Sequence, residues 1–319
     1  MQTIDALNSR YGAPGRIVFH PGFAGRPNVV LANKYGSAEI ALLGATTLSY
    51  RPTGHAPVIF RPAKGDADYR RGERPHGGVP VCWPQFGNRM SKDLPKHGFA
   101  SVLLFDVRGT EYSDEITEIT LGVKSDDETK KLWPHDFDLE VKISVSMKLN
   151  LTLTTRNTGT APFEFSAAFH PYFLLRDRDA ATVRGLDGCA FTDGTTPDLK
   201  RGELKGDLKL DFAPDHIFDL KPGLKHEFAI LDPGLRRAIA IASTGNDNAV
   251  VWNAGEGSSL PDLAADDWRK FVCVEPVSNW PGGRTLAAGA KHILAAAIQA
   301  HLEGVEQART DAFGFPRAD

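Results

Sequence analysis

The chain has few of the residues that build cross-links or metal clusters, with three cysteines and three methionines among 319 residues. Cys82, Cys189 and Cys273 are an odd set at wide spacing with no Cys-x-x-Cys pair, and no His-x-x-x-His pair occurs elsewhere. Reduced thiols in a reducing compartment are therefore expected, with no metal site. Net charge is also small, at −3 with a pI near 6.4, which gives no broad attraction to nucleic acid or to an anionic membrane. No apolar run approaches the roughly 20 residues needed to cross a bilayer, and Met1–Asn8 has neither the basic start nor the apolar centre of a signal peptide. A cytoplasmic protein that binds a small, locally recognised molecule is the expectation. A Gly-x-Ser-x-Gly elbow is missing too, and Gly77-Gly78 and Gly282-Gly283 lack the strand and helix context of a nucleotide loop.

Hydrophobic residues make up 41% of the chain and charged residues 24%, enough for a sizeable core. Apolar and polar residues alternate through Met147–Thr154, as in a strand buried on one face. Similar runs at Asn28–Asn33, Ala38–Leu43, Thr117–Val123, Leu139–Val145, Pro162–Phe169, Ala238–Ser243, Ala249–Trp252 and Phe271–Glu275 are separated by turn residues, drawn from 31 glycines and 21 prolines. The pattern predicts an all-β fold, a large antiparallel sandwich or barrel. Pro261–Lys270 reads as a short helix serving as a surface connector. The alanine-rich stretch after Gly283 reads as a last strand from Leu286 to about Ile298. No repeat or linker divides the chain, so a single domain over 1–319 is expected, with a short polar tail from about 303 and a monomeric state.

Two titratable residues stand out. His170 follows the apolar Ala167-Ala168-Phe169 and Glu275 follows Phe271-Val272-Cys273-Val274, and each precedes a proline. Proline restricts the residue before it to extended geometry, so both side chains are presented in defined directions at strand ends. Burial there would shift their pKa values, and one could donate a proton while the other accepts one. A buried glutamate needs a partner or a cleft. His97, in Lys96-His97-Gly98-Phe99-Ala100, lies on a loop with glycine freedom, where binding groups are often carried.

Together, Gly77-Gly78-Val79-Pro80-Val81-Cys82-Trp83-Pro84-Gln85-Phe86-Gly87, Leu94–Ala100, Phe169–Phe173, Val251-Trp252-Asn253 and Val272–Pro276 resemble the aldose 1-epimerase (mutarotase) superfamily, nearest to its hexose-6-phosphate branch. The resemblance spans about Asn28 to Ile298 and implies a galactose-mutarotase-like β-supersandwich. It implies that His170 is the general acid, Glu275 the general base and His97 a contact to the sugar ring. It further implies that Asp215 binds sugar hydroxyls and that Gln85 and Trp83 line the cleft. The implied reaction is ring opening and closure of an aldose, without a cofactor, on a sugar or sugar phosphate. Where phosphate-recognising members carry arginines, this chain has His76 and Ser101. Neither replaces a bidentate guanidinium. Arg71, Arg74, Arg89, Lys92 and Lys96 are near enough in sequence to compensate, and Arg74 and His76 join the candidate binding set. A mutarotase acting on an unphosphorylated or other sugar, a non-catalytic carbohydrate-binding sandwich, and a glycoside hydrolase using Asp215 with Glu275 are the alternatives.

Overall fold

Two large antiparallel sheets carry most of the chain in the computed structural model, which describes residues 2–62 and 76–302. One sheet has nine strands and runs from Leu208–Lys209 at one edge to Asp106–Tyr112 at the other. At its centre, Lys291–Leu302 lies between Arg237–Thr244 and Leu149–Asn157. The other has eight strands in the order 201–203, 190–193, 215–219, 248–252, 271–278, 167–169 and 81–82, with 172–174 also paired to 271–278. A four-stranded N-terminal sheet and a two-stranded ribbon complete the architecture.

Period-two burial is clearest in Phe137–Val145 and Leu149–Asn157, whose apolar residues point into the core while the intervening residues are less buried. The strand Phe271–Ser278 differs, because all eight residues are buried. Its even-numbered Val272 and Val274 join the main core, while Cys273 and Val277 pack in separate clusters on the opposite face. A strand covered on both faces can support a core on one side and the floor of a site on the other.

The all-β expectation holds, with differences in detail. The Pro162–Phe169 run splits into Phe163–Phe165, paired with Arg284–Leu286, and Ala167–Phe169 in the eight-stranded sheet. Ser166 is the junction: its N–H donates to the Pro84 carbonyl and its hydroxyl accepts from the Phe86 N–H. The last stretch is also two strands, Arg284–Leu286 and Lys291–Leu302, separated by a turn in which the Ala290 N–H reaches the Ala287 carbonyl. Met147 lies in the turn before its strand, which starts at Leu149.

The predicted 261–270 surface helix needs correcting. Only Asp267–Lys270 makes a helical turn, and Asp262 and Trp268 are buried, so the segment is packed against the body of the protein. Two helices were not anticipated, Ile4–Tyr11 and Asp127–Leu132. Thr3 caps the first and an Asp126–Thr129 capping box starts the second. Arg71, Arg74 and the tail from 303 lie outside the described residues.

Candidate active site

The strand ladder itself brings His170 to Glu275. Ala167–Phe169 and Tyr172–Leu174 both pair antiparallel with Phe271–Ser278, and the break between them falls at His170-Pro171, where proline has no N–H to give. The register is the same on both sides of the break, with Ala168 opposite Val277 and Tyr172 opposite Cys273. Counting two residues inward from either pair sets His170 opposite Glu275. Side chains directly opposite each other on one face are nearest neighbours, and His170 Nε2 lies 3.5 Å from Glu275 Oε1. Both residues are buried, at 4% and 1% exposure.

The His170 ring is held from several sides. Tyr172 stacks on it at 4.8 Å between centroids with planes 7° apart, and Trp252 and His97 meet it edge-on at 5.9 and 5.5 Å. The same register extends the face outward. Asp215, Trp252, Cys273 and Tyr172 form one cross-strand row, and Ile217, Val250 and Glu275 form the next. Apart from the fully buried Cys273, the side chains of these rows floor an open cleft of about 860 Å³, open solvent included, lined also by His76, Phe86, Arg89, Lys96, His97 and Trp280.

His97 enters the cleft from the loop before it. Its backbone is left-handed at φ 65, which a non-glycine residue adopts rarely and often at functional sites. The conformation is fixed by His97 N–H to the Gly87 carbonyl (2.7 Å) and by Gly98, where a Cβ would lie 2.1 Å from the Trp83 carbonyl oxygen. His97 Nδ1 accepts from the Gly87 N–H at 3.3 Å, so in the neutral ring the proton is on Nε2. Asp215 also lines the cleft. Burial pushes its carboxyl up from the ordinary range, and the cations Lys96 and Arg89 pull it partly back.

His76 reaches the rim, secured by a residue that the sequence reading placed on a surface helix. Asp262 accepts from the His76 N–H at 2.6 Å and contacts His76 Nδ1 at 2.8 Å. Gln85 and Trp83 are not brought to the cleft. Gln85 is fully buried, and its amide donates to the Leu94 and Pro95 carbonyls and accepts from the Ser91 N–H, so it ties down the 91–95 loop. Trp83 packs in the core against Phe99, Trp133 and Phe137. Their motif set the loop, while the face each side chain takes depends on register that spacing does not reveal. Ser101 is buried too, with its backbone carbonyl packed over Gly44. Asn253 holds the chain together by donating to the Trp268 and Phe271 carbonyls, both at 2.8 Å.

Among the described residues, one group of possible metal ligands is gathered in the fold. A nitrogen of His170, the sulfur of Cys273 and a carboxylate oxygen of Glu275 all lie within 4.8 Å of one another. No linear spacing motif joins them.

A buried histidine–glutamate pair thus stands at the floor of an open cleft on a large antiparallel sheet, and residues 27–298 match the aldose 1-epimerase family. The chain belongs to that family and is an isomerase of the epimerase type. A relative in Escherichia coli strain K12, provisionally named glucose-6-phosphate 1-epimerase, is 32% identical over 249 residues, covering 77% of this chain and 81% of the relative. A similarly named protein of Cenchrus ciliaris is 25% identical over 252 residues, 76% of this chain and 74% of its own length. Among solved structures, a provisionally assigned mutarotase of Salmonella typhimurium superposes with a TM-score of 0.82 at 27% identity, covering 92% of this chain and 96% of that one. The galactose 1-epimerase of Lactobacillus acidophilus NCFM shares the fold, with a TM-score of 0.69 at 12% identity over 90% of this chain and 98% of that one.

Proposed function

We propose that this epimerase interconverts the α and β anomers of a hexose 6-phosphate, with His170 as acid and Glu275 as base. The observation that carries the reading is the 3.5 Å separation of His170 Nε2 and Glu275 Oε1 at the cleft floor. In a cyclic aldose the anomeric hydroxyl and the ring oxygen are bonded to the same carbon, so a donor and an acceptor that serve them must stand side by side. Glu275 takes the anomeric hydroxyl proton while protonated His170 gives one to the ring oxygen. The C1–O5 bond breaks as the carbonyl forms, rotation about C1–C2 presents the other face, and closure reverses both transfers. Such a positioned pair contributes about 10²–10⁴-fold. The Nε2–H of neutral His97 donates to sugar oxygens, and Asp215 accepts from hydroxyls.

Arg89 and Lys96, both at the cleft rim, supply the positive charge that His76 and Ser101 do not. The names of the relatives support a phosphorylated substrate. Burial of the uncharged Ser101 favours the second reading, a free aldose. Anomer equilibration of glucose 6-phosphate and of glucose, followed by polarimetry or NMR, separates the two. The phosphate ester is expected to be accelerated more, and the Arg89→Ala, Lys96→Ala double variant should erase that preference. Equal acceleration of both sugars by the unaltered protein would sink the phosphosugar reading.

A further inference from the structure

We infer that an inhibitory site for a thiophilic divalent cation lies at the cleft floor, built from His170 and Glu275 together with the fully buried Cys273 beside them. Cys273 and Glu275 are two residues apart on one strand and so share a face, and His170 stands opposite Glu275 on the neighbouring strand. All three are buried, and their donor atoms lie within 4.8 Å of one another. Tetrahedral coordination at zinc bond lengths, about 2.0–2.3 Å, sets ligand atoms roughly 3.5 Å apart. The His170–Glu275 separation already has that value. The remaining approach is an inward movement of about an ångström, within reach of side-chain adjustment. Three protein ligands then leave the fourth position facing the cleft, as in zinc sites that keep an exchangeable water.

The donor set decides which ions enter. A thiolate and an imidazole select zinc or cadmium over magnesium or calcium, which prefer all-oxygen surroundings. On binding, the Cys273 thiol releases its proton to solvent and the sulfur bonds the metal as thiolate. His170 binds through a ring lone pair and Glu275 through a carboxylate oxygen, so the charge of the cation is offset by two anionic ligands. Under the proposed function the same His170 nitrogen and Glu275 oxygen move the protons of the sugar. A bound cation therefore occupies both carriers at once, and sugar and metal exclude each other. In the proposed reaction Cys273 moves no proton, and it is not a lining residue of the cleft, so it can be replaced with both proton carriers kept. Metal binding does not depend on the mutarotase reading, whereas inhibition rests on it.

The test uses the full chain with cobalt as a spectroscopic probe and zinc as the inhibitor. One equivalent of cobalt should give a thiolate-to-metal charge-transfer band, and glucose 6-phosphate should bleach it. Zinc should stop anomer interconversion, with magnesium inert at the same concentration. Losing a partner that merely orients a metal ligand weakens affinity about 10–100-fold, so Cys273→Ser should lose the band and raise the inhibitory zinc concentration at least tenfold at unchanged turnover. Cys273→Ala gives the same readout if a buried hydroxyl disturbs folding. No band in the unaltered protein, or a band retained in both variants, overturns the metal site. A Cys273-dependent band with undiminished turnover overturns the inhibitory role and counts against His170 and Glu275 as the proton carriers.

Discussion

Two buried acid–base pairs in this molecule have the same separation and opposite surroundings. Arg237 Nε stands 3.5 Å from Asp232 Oδ2, as His170 Nε2 stands 3.5 Å from Glu275 Oε1. Both members of the first pair are almost fully buried. The guanidinium of Arg237 also donates to the carbonyls of Ala56, Pro57 and Leu174, and Asp232 accepts from the Arg176 and Leu235 N–H groups. Arginine cannot give up its proton at any working pH, so this pair fastens the 56–57 segment and the 174 strand to the nine-stranded sheet. The second pair faces a cleft and contains a histidine, whose ordinary pKa allows it to change charge near neutrality. Distance and burial are shared, so neither marks a functional pair. The difference lies in whether the groups around it are fixed main chain or room for a substrate.

The comparison can be broken first at Glu275. Glu275→Gln keeps the shape and removes the base, so anomer interconversion should fall about 10²–10⁴-fold while the melting temperature stays within a few degrees. An unchanged rate, read by NMR exchange between anomers, would remove Glu275 from the chemistry. Arg237→Met should do the reverse. Leaving Asp232 buried without its cation costs about 3–5 kcal/mol, measured by urea unfolding, with turnover per folded molecule preserved. Loss of turnover at a temperature where the variant is folded would show that the two pairs are not independent.

Asp215 lies between these extremes, because its carboxyl is pushed up by burial although it lines the cleft. A carboxyl that binds its proton more tightly when folded favours the folded state below the unfolded pKa, about 3.9, and that contribution is lost as pH rises through the folded value. Asp215→Asn should therefore gain stability over the parent across that rise and hold the gain to neutral pH. The same change should raise KM roughly tenfold by removing a charge-assisted hydrogen bond worth about 1.5 kcal/mol. If KM is unmoved, Asp215 does not contact substrate. The smallest effect is at His292, held down to about 4 chiefly by burial, with Arg284 adding to it. Its neutral form is the favoured one when folded, so stability is complete above the ordinary 6.5 and declines as pH falls toward 4. Since the ring is only partly buried, the change should be no more than about 1–2 kcal/mol. His292→Gln should flatten the midpoint-against-pH curve in that window, and a parallel curve would refute the assignment.

Much of the frame was legible because period-two alternation is a direct record of a half-buried strand, as in Leu149–Asn157. His170 and Glu275 were legible because each closes an apolar run before a proline. What the sequence does not carry is register, and the site depends on it. Trp83 and Gln85 sit in a motif beside the cleft yet turn into the core and the loop. Asp262 lies in a run of acidic and small residues typical of a surface turn, and only the fold shows it as the partner of His76. Cys273 belongs to a site only once the strand carrying it is aligned with the one carrying His170.

The ladder resumes in step after His170-Pro171, and this makes the number of residues between Ala168 and Tyr172 a structural quantity in its own right. The interruption is four peptide links long whether or not hydrogen bonds fill it, and an even count returns the chain to the face it left. That His170 stands opposite Glu275 is therefore set by the strand register rather than by a hinge. The placement of His170 beside Glu275 is thus inherited from sheet assembly.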